Sequence, residues 1–110
     1  MSYVPDAGDI VWTDFSPQVG REQAGHRPAL VLSPIVYNRP ARLMLACPCT
    51  TRIKGYPYEV AIDSDPPSVA LIDQTRSLDW SLRPFRFKAR ATASEIADAK
   101  LKLATLLGLS

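Results

Sequence analysis

The chain has 110 residues, of which 46% are hydrophobic and 22% are charged. These values are typical of a globular protein and exclude intrinsic disorder as the main state, so we expect one domain spanning residues 1–110. Thirteen Lys and Arg against eleven Asp and Glu give a formal net charge of +2, which alone is too small to indicate a nucleic-acid partner. The single histidine excludes chemistry that needs several histidines from one chain.

Membrane, export and metal signals are scarce in the sequence. The longest clear apolar run, residues 43–47, is far shorter than the roughly 18 residues of a membrane span. The N-terminus has neither a basic nor an apolar signal region, so we expect a cytoplasmic location and no membrane association. Cys47 and Cys49 are two residues apart in an apolar segment, which predicts two small buried residues and no disulfide. A structural zinc site normally needs four Cys or His ligands, so neither a metal nor a cofactor is expected.

Short strands separated by turns dominate the first eighty residues. The segments predicted to form strands are 8–15, 27–33, 42–49, 56–62 and 68–72, with 73–80 of mixed character. A long polar loop with two glycines covers 16–26, and residues 37–40 read as a turn because Asn38 and Pro40 lie there.

The last third of the chain predicts one more strand and then a helix. Residues 85–91 alternate strictly, so Phe85, Phe87, Ala89 and Ala91 are expected to face inward, with Arg86, Lys88 and Arg90 on the other side. Thr92 and Glu95 form a capping-box pattern, followed by apolar residues at helical spacing up to Gly108. The predicted fold is mainly β, a small barrel-like sheet whose open side is covered by the C-terminal helix.

The charges are segregated along the chain. Residues 16–58 hold six basic residues and one acid, residues 59–82 hold five acids and one Arg, and residues 83–92 hold four basic residues and no acid. Nine of the thirteen basic residues are Arg, which forms forked contacts with phosphate and stacks on bases. The basic segments, with nearby tyrosines, suit single-stranded nucleic acid, although an ordinary solvated surface accounts for such clustering equally well.

Several separate strings closely resemble the MazF/PemK family of toxins. They are GDIVW at 8–12, EQAGHRPA at 22–29, VLSP at 31–34 with Tyr37-Asn38, PCTT at 48–51, KGYPYEV at 54–60, and Asp73-Gln74 through Ser77 and Trp80. These strings occur in the family's order and cover roughly residues 3 to 80. The segments 39–42 and 81–90 match the family pattern poorly.

The resemblance implies an SH3-like barrel with a C-terminal helix, a homodimer, and a sequence-selective endoribonuclease that cuts single-stranded RNA. It also implies an antitoxin partner of the MazE type, whose acidic C-terminal segment occupies the RNA-binding surface. Arg27 in the HRP string and Thr50 in the PCTT string match the family's catalytic pair. Glu22 and His26, from the same loop pattern as Arg27, are lesser candidates for moving protons.

RNA carries its own nucleophile, so the chemistry expected of these residues is simple. The 2′-hydroxyl attacks the neighbouring phosphorus, and the enzyme aligns the two groups and stabilises the growing negative charge. This route needs no metal ion and gives 2′,3′-cyclic phosphate and 5′-hydroxyl ends. The residues expected to contact RNA are Arg21, Gln23, Lys54, Tyr56, Tyr58, Gln74, Arg76 and Arg86.

Two other functions fit the same sequence. The CcdB family shares this fold class and acts without catalysis, by binding gyrase, which would not require Arg27 and Thr50. A small RNA-binding or peptide-binding barrel would use the basic side of 85–91 and leave no cyclic-phosphate ends.

Overall fold

The computed structural model describes residues 3–15, 20 and 25–109. The strands are β1 (Asp9–Asp14), β2 (His26–Val31), β3 (Leu43–Thr50), β4 (Glu59–Ile62), β5 (Ser68–Leu71), β6 (Arg76–Asp79) and β7 (Phe85–Arg90). The helices are α1 (Ile35–Ala41), α2 (Ala93–Leu106) and a single 3₁₀ turn, Ile72–Gln74. Across these residues neither α-helix has the length and apolar character needed to cross a bilayer.

All seven strands belong to one antiparallel sheet. Their order is β4-β5-β3-β2-β1-β7, and β6 pairs with β3 beside this path. The mainly β fold with a C-terminal helix is therefore confirmed. The barrel-like sheet is not closed, because within the described residues β4 and β7 end the path and do not pair with each other.

Alternating side chains of the sheet form two apolar cores, one on each face. The helix-side core lies under α2 and contains Ile10, Leu30, Cys47, Cys49, Val60, Ile62, Ala70, Ile72, Ala91 and Ala99. The far-side core contains Val11, Phe15, Ala29, Val31, Met44, Ala46 and Leu78. Since neighbouring residues on a strand point to opposite faces, each central strand supplies both cores. Cys47 and Cys49 are buried free thiols, as expected.

A bulge in the pairing of β1 with β7 changes which side of β7 is buried. Val11 pairs with Phe87 while the adjacent Ile10 pairs with Ala89, so Lys88 is an extra residue in β7. Phe85 packs against the far-side core, whereas Ala89 packs against the helix-side core. The prediction that all four alternating residues of β7 face inward is therefore wrong, and Phe87 is 50% exposed.

The segment predicted as a turn at 37–40 is a helix. Asn38 is fully buried in α1, and its side-chain amide donates to the carbonyls of Pro5 and Ser33, both at 2.8 Å. The Trp80 indole N–H donates to the carbonyl of Asn38 at 3.0 Å. These contacts come from distant parts of the chain and stabilise a helix that contains Pro40 and that local propensity disfavours.

The capping box of α2 is present as predicted. The Thr92 hydroxyl accepts from the backbone N–H of Glu95 at 3.2 Å, and the Glu95 carboxylate accepts from the backbone N–H of Thr92 at 2.8 Å. The helix lies very close to the start of β1, since a Cβ on Gly8 would stand 2.5 Å from Cδ1 of Ile96. Gly8 also has φ +91°, a backbone conformation that favours glycine at this position.

Candidate active site

Arg27 and Thr50 lie on neighbouring strands at the same end of the sheet. In the antiparallel pairing of β2 with β3, Ala29 is opposite Pro48 and Leu30 is opposite Cys47. Arg27 lies two residues before Ala29 on β2, and Thr50 lies two residues after Pro48 on β3, so both stand at the same end of this strand pair. Strand alternation gives both side chains the far face of the sheet, since Arg27 alternates with Ala29 and Thr50 alternates with Ala46, both of the far-side core. Both side chains are half-buried.

The Thr50 hydroxyl is held by the loop that follows it. Its Oγ1 accepts a hydrogen bond from the backbone N–H of Arg52 at 3.1 Å. This contact uses an oxygen lone pair and not the hydroxyl proton, so the hydroxyl keeps its capacity to donate. Thr50 is thus oriented while remaining able to donate a hydrogen bond to a bound anion.

His26 lies on the opposite face of the sheet from Arg27 and Thr50. It is the first residue of β2, and its ring stacks on Trp12 with centroids 5.7 Å apart and planes inclined by 6°. Lys88 Nζ lies 5.6 Å from the centroid of the same indole ring. The structure therefore brings His26 together with Trp12 and Lys88, not with Arg27 and Thr50.

A cleft of about 330 Å³ opens on the helix face, between the sheet and the first turn of α2. Trp12, Lys88, Cys49, Thr51 and Glu95 are among its lining residues. Burial raises the pKa of the Cys49 thiol to about 12, a shift only partly opposed by a hydrogen bond with the backbone of Leu30 and by the positive charges of Lys88 and Arg27. The pKa of Cys47 is also raised well above its usual value by burial.

These thiols are expected to be inert in the native protein. Thiolate is the reactive form, and both groups are buried and protonated at neutral pH. Iodoacetamide at pH 8 should therefore label neither cysteine in the native protein and both in denaturant, as counted by intact mass. Labelling of Cys49 in the native protein would show that the cleft exposes a thiolate.

The loop after Thr50 carries two of the expected RNA contacts on its surface. Lys54 and Tyr56 are exposed, and Lys54 Nζ lies 5.6 Å from the centroid of the Tyr56 ring. Tyr58 is half-buried and packs against the helix-side core, so less of its ring is available for stacking. Of the expected tyrosine platforms, Tyr56 is the accessible one, with 59% of its surface exposed.

The remaining expected contacts are dispersed. Gln74 is half-buried in the 3₁₀ turn, and Arg86 is exposed on β7 opposite Trp12. Arg76 of β6 donates to the carbonyl of Phe15 at 3.4 Å. Arg21, Gln23 and Glu22 lie outside the described residues, as does most of the predicted loop at 16–26.

Two features near the candidate site were absent from the sequence prediction. Arg83 donates to the carbonyl of Asp14 at 3.0 Å, so it and Arg76 both bind the end of β1, one strand from Arg27. Glu59, only 8% exposed, accepts backbone hydrogen bonds from Lys54 and Gly55. Arg90 was expected on the basic side of β7, and its guanidinium instead forms an ion pair with the carboxylate of Asp9 at 3.0 Å. In the described part of the chain, no group of three or more His, Cys, Asp or Glu is placed to hold a metal ion.

Comparison with known sequences gives consistent matches. The sequence pattern of a family described as PemK-like, MazF-like toxin of type II toxin-antitoxin system matches residues 6–107. The chain is 47% identical over 107 residues to the endoribonuclease toxin MazF of Escherichia coli (strain K12), covering 96% of each chain. It is 35% identical over 79 residues to endoribonuclease EndoA of Bacillus subtilis (strain 168), covering 66% of this chain and 68% of the relative.

Solved structures match over nearly the whole chain. MazF from Deinococcus radiodurans superimposes with a TM-score of 0.91 at 51% identity, covering 97% of this chain and 99% of that one. The structure described as a MazE-MazF complex from the same organism gives a TM-score of 0.86 at 51% identity, covering 99% and 100%. The similarity to these two structures therefore extends over the whole fold described above.

Proposed function

Because this chain belongs to the PemK-like, MazF-like toxin family of type II toxin-antitoxin systems, we propose that it is an endoribonuclease that cleaves single-stranded RNA. The observation that supports this proposal is that Arg27 and Thr50 lie on neighbouring strands at the same end of the β2–β3 pair. The resemblance assigns catalysis to the same two residues, in a chain 47% identical to a named endoribonuclease. A cytoplasmic site of action and selectivity for particular bases are parts of this proposal.

In this proposal Arg27 stabilises the negative charge that grows on the scissile phosphate. Its planar guanidinium presents paired N–H donors that match two phosphate oxygens, and it stays charged throughout the working pH range. Half-burial between β1 and β3 limits its rotamers, so the charge is oriented before RNA binds. Arg27 therefore favours the crowded dianionic phosphorane over the bound substrate.

Thr50 is proposed to donate a hydrogen bond from its hydroxyl group to a second oxygen of the same phosphate. Its Oγ1 is already oriented by the backbone N–H of Arg52, so little rotational freedom is lost on binding. His26, stacked on Trp12 on the other face, is poorly placed to move protons at this phosphate. Glu22 remains the candidate for that role, as predicted from its place in the EQAGHRPA string.

The proposed reaction has a product signature that a metal-dependent nuclease does not leave. The nucleophile is the 2′-hydroxyl of the RNA, so the protein should cut a long single-stranded RNA in the presence of EDTA. Cleavage ends should be 2′,3′-cyclic phosphate and 5′-hydroxyl, read by mass spectrometry and by direct kinase labelling of the 5′ ends. DNA of the same sequence should stay intact because it lacks the nucleophile. Loss of activity in EDTA, restored by Mg²⁺, would contradict the proposal.

We further propose that the active form is a homodimer that binds a MazE-like antitoxin. Support comes from the match to a structure described as a MazE-MazF complex and from the basic segments, which suit an acidic peptide. Light scattering should give the mass of two chains for the isolated protein. The mass of one chain at micromolar concentration would overturn the homodimer.

The gyrase-binding alternative is not favoured, because the matched relatives are named as endoribonucleases. The non-catalytic barrel relied on a continuous basic side of β7, and Arg90 departs from that side by pairing with Asp9. Both alternatives predict RNA that stays intact in the EDTA experiment.

A further inference from the structure

The loop at 51–57 is fastened at its base by one buried carboxylate. Glu59, the first residue of β4, is 8% exposed, and each of its carboxylate oxygens accepts a different backbone N–H. The N–H of Lys54 donates to Oε2 at 3.1 Å, and the N–H of Gly55 donates to Oε1 at 2.9 Å. The N–H of Glu59 itself donates to the carbonyl of Tyr56 at 3.1 Å, which closes the loop upon itself.

Hydrogen bonds to an ionised carboxylate are stronger than those between neutral groups. A buried carboxylate is also costly unless its oxygens are satisfied, so the two backbone N–H groups and Glu59 stabilise one another. Gly55 has φ +80°, a conformation that other residues rarely adopt, and it turns the chain so that both N–H groups point to the same side. The loop is therefore held in one shape by a contact that its exposed side chains do not supply.

Glu59 is itself fixed by the rest of the fold. Lys102 of α2 donates from Nζ to the carbonyl of Glu59 at 2.6 Å. The neighbouring residue Tyr58 accepts at its carbonyl from the N–H of Ile72 at 3.1 Å. Contacts with β4 and α2 thus fix the position of Glu59, and its carboxylate in turn fixes the backbone of the loop.

This loop connects Thr50 of the candidate active site to the exposed residues Lys54 and Tyr56, which are expected to contact RNA. At its start, Arg52 donates to the hydroxyl of Thr50. Further along, it displays Lys54 and Tyr56, an exposed cation beside an exposed ring, which suit a phosphate and a stacked base.

We propose that Glu59 is a positioning residue for RNA, a role that rests on the proposed function and acts through Lys54 and Tyr56. Its carboxylate does not touch the substrate. By fastening the backbone at Lys54 and Gly55, it holds the cation and the ring in a prearranged pair. RNA then binds without having to order the loop, which lowers the entropic cost of binding.

The Glu59→Gln variant tests this role. Glutamine has one carbonyl oxygen and an NH₂ group, so one backbone N–H keeps an acceptor while the other faces a donor. We expect KM for RNA to rise about tenfold with kcat within about twofold, because binding weakens while Arg27 and Thr50 stay in place. Removing a negative charge would by itself strengthen RNA binding, so weaker binding cannot be a charge effect. The Glu59→Asp variant keeps the charge but is one methylene shorter, and it should shift KM in the same direction.

Three further measurements separate positioning from general destabilisation. Amide exchange at Lys54 and Gly55 should accelerate in Glu59→Gln, while exchange in β2 should not. In a Tyr56→Ala background the same substitution should change KM less than in the wild type, since one of the two residues through which it acts is gone. Asp79→Asn is the matched control, because Asp79 accepts backbone N–H groups of Ser81 and Leu82 at the other end of β3. It should leave KM unchanged.

Failure of this inference is distinguishable from failure of the proposed function. Binding is also measured by anisotropy with a fully 2′-O-methylated RNA, which lacks the nucleophile and cannot be cleaved. Wild-type protein that binds this RNA but cuts no natural RNA would refute the endoribonuclease and leave the binding comparison intact. An unchanged affinity of both Glu59 variants, or an equal KM change in the Tyr56→Ala background, would overturn the positioning role.

Discussion

Replacing Arg27 by alanine is expected to lower kcat for RNA cleavage by about 100-fold to 1000-fold. In the proposed mechanism the substitution removes the positive charge that stabilises the negative charge developing on the phosphate. Lysine at this position should restore little of the rate, because an ammonium group cannot bind two phosphate oxygens as a planar fork. The rate is measured under single-turnover conditions with a fluorescent single-stranded RNA, so that binding and chemistry are separated.

Arg39→Ala is the matched control for this prediction. Arg39 is an exposed residue of α1, so the substitution removes the same charge from a different element. Both variants should keep the wild-type melting temperature within a few degrees and the same oligomeric mass. If Arg27→Ala cleaves at the wild-type rate, the central assignment of the proposed mechanism is wrong.

Replacing Leu30 by alanine is expected to reduce the free energy of unfolding by about 2 to 5 kcal/mol. Leu30 is 1% exposed and lies in the middle of the sheet, where β2 contributes to the helix-side core. The lost methyl groups leave a cavity that the paired strands on both sides cannot close. For a domain of this size the melting temperature should fall by roughly 10 °C or more.

Leu109→Ala makes the same chemical change at a position that is 75% exposed. Its melting temperature should stay within about 2 °C of the wild type, since surface substitutions rarely change stability by more than about 0.5 kcal/mol. Both variants are compared at one protein concentration, because dimerisation would make melting depend on concentration. A small effect at Leu30 would mean that the helix-side core repacks around the cavity.

The parts of the fold that the sequence predicted were those specified by local pattern. Strand segments were recognisable from β-branched and aromatic residues, and the capping box of Thr92 and Glu95 marked the start of α2. The helix α1 was missed because its stability comes from partners far away in sequence. The carbonyls of Pro5 and Ser33 satisfy the buried amide of Asn38, and no local spacing reveals that contact.

The residues of the candidate site likewise differ in whether local sequence pattern could predict them. The motif strings predicted Arg27 and Thr50 as candidates, and strand alternation then explains why adjacent His26 faces the other side. Glu59 escaped notice because an acid at the start of a strand normally faces solvent. Only the folded loop shows that its carboxylate accepts two backbone N–H groups. Its signal in the sequence was an acid four residues after Gly55, a spacing too common to be diagnostic.

The extra residue in β7 has a consequence for how the protein unfolds. Because Lys88 shifts the strand by one position, Phe85 belongs to one core and Ala89 to the other. The two cores therefore share a covalent connection at the edge of the sheet as well as through the central strands. Disruption of one core displaces a strand that also packs in the other core, which makes unfolding cooperative. A sheet with an apolar core on each face can in this way melt as one unit.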